Sequence, residues 1–87
     1  HTGRTPPMNY TEKQGQYLAF IYHYSLLNRC APAEFDIQTY FRVSAPTVHQ
    51  MIVTLDRKGF ISRTPGQGRS IVLKLTKDQL PELKAVG

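Results

Sequence analysis

Ser44-Ala45-Pro46-Thr47-Val48-His49-Gln50 packs four hydrogen-bonding side chains into the start of an amphipathic segment. Ser44 is an N-cap type, and Pro46 just inside the first turn lacks only an amide that a helix could not have used. Beyond it Val48, Met51, Ile52 and Leu55 recur at i, i+3, i+4 and i+7, a stripe that commits one side of a helix to a core. Pro46, Thr47, His49, Gln50, Val53, Thr54 and Arg57 are left pointing away from it. Their chemistry is that of reading base edges. The Gln50 amide can pair bidentately with adenine, Thr47 can give a hydroxyl bond or set its methyl against thymine, and His49 can donate or accept. Ser44 and the first-turn amides suit a phosphate.

A second group supplies charge. Arg42, Arg57, Lys58, Arg63, Arg69 and Lys74 follow one another with Asp56 as the one acid among them. Elsewhere cations and acids balance, so this stretch carries the whole formal charge of +5 and the pI of about 9.7. A polyanion is the partner to test first. Arg63, Arg69 and Lys74 are the expected phosphate contacts, with entry into the minor groove as the alternative for Arg69. Arg57 and Lys58 fit a helix C-terminus as well as they fit a phosphate. Neutralising roughly four to six phosphates would give a log–log salt slope of about −4 to −5. The plain alternative is a solvated basic surface.

Other chemistries lack their residues. Cys30, His23 and His49 have none of the paired spacings of a zinc site, and Gly66-Gln67-Gly68 is too short for a nucleotide loop. No Ser, His and acid set falls where the fold would assemble it. No catalysis, metal, cofactor or small-molecule substrate is therefore expected. Cys30 reads as a small buried hydrophobe.

The elements that must position these residues follow from the same pattern. Eighty-seven residues make one small domain, burying roughly 60–65% of the unfolded surface. Residues 1–9 read as a flexible lead-in, 10–76 as the domain and 77–87 as a tail with one helical turn that packs Leu80 or Leu83. Thr11-Glu12-Lys13-Gln14 fits a capping box that opens a first helix to about Asn28, with Tyr17, Leu18, Phe20, Ile21, Tyr24 and Leu27 on one side and a weakening Gly15 in its first turn. Pro32 interrupts. Ala33 to Phe41 suits a short second helix with Phe35, Ile37, Tyr40 and Phe41 as its greasy side. The third helix spans about 45–58, ending on Gly59 as the left-handed residue. Phe60–Thr64 and Arg69–Leu75 read as strands about a Pro65–Gly68 turn, with Ile71, Leu73 and Leu75 on one face. The predicted class is mainly α with a small β-hairpin (α+β): a winged helix-turn-helix of three helices plus a wing at about 61–75. In that plan the third helix enters the major groove of double-stranded DNA and the wing meets backbone or minor groove.

Tyr10-Thr11 with Lys13-Gln14, Ile21, Ser44, the run Leu55-Asp56-Arg57-Lys58-Gly59-Phe60-Ile61 and the tip Gly68-Arg69-Ser70-Ile71 together resemble the DNA-binding domain of the LexA repressor family. The resemblance covers Tyr10 to Leu75. It implies a base-reading surface on Ser44, Pro46, Thr47, His49 and Gln50 and a wing contact on Gln67, Gly68, Arg69 and Ser70. The family also has a second domain that cleaves itself through a Ser and Lys pair; at this length no region is left for it, so self-cleavage is not expected. Ala31–Ile37 departs from the family's Pro-rich entry, and the reading positions differ, so a different operator is expected.

The expected function is that of a small sequence-specific transcriptional regulator. The alternative is a winged-helix protein-interaction or RNA-binding accessory module. One wing and one helix read a half-site, which makes a homodimer the natural assembly; Tyr22 and Leu26 lie off the core stripe as candidates for its contact. A single cysteine, no leader-like segment and no apolar run long enough to span a bilayer point to a cytoplasmic, nucleoid-associated protein with no membrane partner.

Overall fold

A computed structural model describes residues 10–84. The lead-in expected over 1–9 lies outside the described residues, as do 85–87. Helix α1 runs Glu12–Asn28. Its capping box is complete: the Thr11 hydroxyl accepts from the Gln14 amide at 3.1 Å, and the Thr11 amide donates to Gln14 Oε1 at 3.0 Å. Helix α2 is Glu34–Phe41 and begins one residue later than expected. Ala33 is extended because its amide donates to the Asp36 carboxylate at 2.9 Å, which makes it the cap and not the first turn. Helix α3, Ala45–Arg57, starts on Ser44. It closes as a Schellman motif: Gly59 at φ 84° donates to Asp56, and Phe60 donates to the Leu55 carbonyl at 3.1 Å.

Strand β1 (Ile61–Ser62) pairs antiparallel with β2 (Val72–Leu73), Ile61 opposite Leu73 and Ser62 opposite Val72. Both are shorter than their sequence patterns. The Thr64 amide donates to Ser70 Oγ at 2.9 Å in place of a strand carbonyl, so a side chain takes over where the ladder would have continued. Three helices plus this hairpin make a winged helix-turn-helix of α+β class.

One core joins all the elements: Tyr17, Leu18, Phe20 and Ile21 from α1, Ile37 from α2, Val48, Ile52 and Leu55 from α3, and Phe60, Ile61 and Ile71 at the wing base. Tyr17 stacks on Phe41 with ring centroids 4.3 Å apart, which fastens α1 to α2. Three expected core residues are outside it. Leu27 is 80% exposed, because residues 26–30 project past everything packed beneath α1. Phe35 is 70% exposed, since it lies two positions from Ile37 and therefore on the opposite side of α2. Cys30 sits in that same overhang and is exposed, not buried.

The tail straps α1. After a single 3-10 turn at Lys77–Gln79, Leu80 and Leu83 pack on the core. The Tyr10 hydroxyl donates to the Gln79 carbonyl at 2.6 Å, and the Lys84 amide donates to Gln16 Oε1 at 2.7 Å. Lys84 Nζ lies 3.0 Å from Glu12, holding that carboxyl below its usual range through a hydrogen bond and charge. Among the described residues no helix is long and apolar enough to cross a membrane.

Candidate nucleic-acid interface

The side of α3 away from the core is built from its cap. Ser44 Oγ accepts from the Thr47 amide at 3.4 Å and shares a 2.8 Å hydrogen bond with the Thr47 hydroxyl. With that amide engaged and Pro46 lacking one, the helix terminus offers a phosphate fewer donors than an open first turn would. Pro46, Thr47 and Gln50 are exposed, and with Gln14, Met51 and Thr54 they line a groove of about 520 Å³. Arg57 is exposed one turn beyond Thr54. The Thr54 hydroxyl turns back to donate to the Gln50 carbonyl at 2.9 Å, so it is already occupied by its own helix.

His49 is exposed and paired. Its Nδ1 lies 3.2 Å from Glu34 Oε2 at the start of α2. That neighbour favours the hydrogen on Nδ1 and leaves Nε2 as the ring's outward acceptor. Glu34 does not stand out in the sequence and Gln14 does so only as a cap of α1, because each reaches the α3 surface from another element.

The wing tip consists of two linked turns. The Gln67 amide donates to the Thr64 carbonyl at 3.1 Å across Pro65-Gly66, with Gly66 at φ 79°, a type II arrangement that favours glycine there. Ser70 Oγ lies 2.9 Å from the Gln67 carbonyl and 3.2 Å from the Thr64 carbonyl, besides accepting from Thr64. Ser70 therefore braces the loop, while Gln67 stands exposed at its tip and Lys74 is exposed on the returning side. Between wing and helices lies a cleft of about 360 Å³, with Pro32, Glu34 and His49 on one wall and Arg63, Gln67 and Ser70 on the other.

The two wing arginines turn inward. Arg63 has a side chain only 17% exposed, with Nε 3.6 Å from Asp56 Oδ2, an ion pair beyond hydrogen-bond length. Arg69 Nη1 lies 3.0 Å from the Tyr24 hydroxyl, 3.2 Å from the Ala31 carbonyl and 3.0 Å from Asp36 Oδ2. The Tyr24 hydrogen bond first, and the Asp36 carboxylate with it, hold Arg69 more firmly in its charged form. So the structure sets Pro46, Thr47 and Gln50 along a groove with Gln14, His49 in the cleft that faces the wing, Ser44 at the exposed cap, and Arg63 and Arg69 against acids of the body. Counting charge along the chain missed this, because Asp36 lies outside the basic stretch and meets Arg69 only in the fold.

No family model matches the chain. It is 38% identical over 63 residues to the LexA repressor of Thermosipho melanesiensis and 35% identical over 63 residues to the LexA repressor of Thermosipho africanus. Each match takes in 72% of this chain and 32% of the relative, so the chain spans about a third of the length of these curated relatives.

Proposed function

Because this chain carries a LexA-like winged helix-turn-helix, we propose that it binds double-stranded DNA sequence-specifically as a small transcriptional regulator. The observation that carries the reading is the division of α3 into two sides. Val48, Ile52 and Leu55 are fully buried, while Pro46, Thr47, His49 and Gln50 are exposed at the capped end. A helix of about 20 Å fits the major groove with that end against base edges. Both relatives are named repressors, which favours a regulatory role.

In this account Gln50 and Thr47 read bases, His49 offers Nε2 as an acceptor, and Ser44 and Arg57 meet phosphates at the two ends of the helix. Gln67 at the wing tip and Lys74 meet backbone. Thr54 contributes its methyl, since its hydroxyl is engaged, and Ser70 acts by shaping the loop. A homodimer on a two-fold site would read two half-sites.

The test is competition between duplex DNA and RNA of matched length at physiological salt, followed by fluorescence anisotropy. Preference for the DNA duplex, with affinity falling as salt rises, is expected. Equal or better binding to RNA, or no binding to either, would replace this reading with that of an accessory interaction module.

A further inference from the structure

We infer that Arg69 is a positioning residue that latches the wing to the junction of α1 and α2 through Asp36, Tyr24 and Ala31, and is not a phosphate contact. The backbone there is left-handed at φ 56°, which turns the side chain back towards the body. The two hydrogens of Nη1 are shared among three acceptors within 3.2 Å, and the guanidinium carbon lies 6.0 Å from the centre of the Tyr24 ring. Asp36 is itself fixed, because the same Oδ2 that faces Arg69 accepts from the Ala33 amide and caps α2. All three bonds fall on Nη1 and the side chain is 47% exposed, so a phosphate would be left Nη2 and Nε, and it would have to sit beside the Asp36 carboxylate, which repels it.

The latch has a geometric consequence. Arg69 and Ser70 belong to the wall of the cleft that faces His49 and Glu34, so the bond to Asp36 fixes how far the wing stands from α3. A wing held at that distance meets the duplex together with α3 without first being ordered, which is preorganisation in the strict sense. This effect on affinity rests on the duplex-binding reading; the latch itself does not.

The variants are Arg69→Ala, Asp36→Asn and the two combined. Asparagine keeps an oxygen for the Ala33 amide, so α2 retains its cap, and thermal melts verify folding. In the free protein, backbone relaxation of Gln67 and Gly68 should show fast wing motion in Arg69→Ala and a smaller increase in Asp36→Asn, whose remaining oxygen still accepts from Arg69 but without the charge, while α3 amides stay rigid. On a bound duplex, Arg69→Ala should weaken affinity by about three- to tenfold and Asp36→Asn by less, the combination should be no worse than Arg69→Ala, and the salt slope should stay constant. Two results overturn the latch. One is a wing as rigid in Arg69→Ala as in the parent. The other is a slope reduced by about one in Arg69→Ala together with tighter binding in Asp36→Asn, the signature of a phosphate contact beside an unfavourable anion. If the parent binds no duplex, the duplex reading fails and the relaxation measurement still decides the latch.

Discussion

Gly15 lies where α1 passes beneath the tail, and a Cβ placed there would meet the Tyr10 ring at 2.8 Å and Pro81 at 3.0 Å. Alanine is the better helix former by about 1 kcal/mol, yet Gly15→Ala should destabilise by about 1–2 kcal/mol, because overpacking outweighs propensity. Urea denaturation measures it. The opposite holds at Arg29, which closes α1 at φ 59°. Arg29→Gly should stabilise by about 0.5–1 kcal/mol, since glycine adopts that backbone without a Cβ penalty; an unchanged urea midpoint would contradict this. At this scale the sequence was most legible where the partner is local. Thr11 with Gln14, Ser44 with Thr47, and Gly59 are all where capping rules put them. Asp36 against Arg69 was not legible, because no local pattern links a cap of α2 to a wing 33 residues away.

Helical periodicity located all three helices, and its errors have a common cause. A stripe marks a face but not the length over which something packs against it, so periodicity places Leu27 in a core that ends before α1 does. Strand patterning overran for a related reason, since the Ser70 hydroxyl satisfies Thr64 and the ladder stops. The tail's sequence pattern predicts one turn, and its grip on α1 through Gln16, Tyr10 and Glu12 comes only from the fold. Truncation after Thr76 removes the half-buried Leu80 and Leu83 and should cost about 2 kcal/mol, read as a lower urea midpoint. An unchanged midpoint would mean that the strap contributes nothing. The Glu12–Lys84 end of the strap should be pH-sensitive. Because the Glu12 pKa is lowered on folding, its contribution is complete above the ordinary carboxylate range and is lost as pH falls through the depressed value. The protection factor of the Lys84 amide, taken against the intrinsic exchange rate at each pH, should therefore fall on acidification.

Across the molecule the charge excess of +5 is real but unevenly available. Arg63 is set against Asp56 and Arg69 against Asp36, so two of the six cations of the stretch already face acids of the fold. The salt slope should accordingly be shallower than the sequence alone implies, about −3 to −4. A slope of −5 or steeper would mean that the inward-turned arginines swing out on binding. The central claim is that the exposed side of α3 reads sequence in a duplex, and in vitro selection from randomised duplexes tests it most directly, with the parent protein and Gln50→Ala run side by side. The account predicts one enriched motif for the parent, two-fold symmetric if two copies bind, and the same motif with preference relaxed at one base pair for Gln50→Ala. A parent protein that enriches no motif at physiological salt would contradict it.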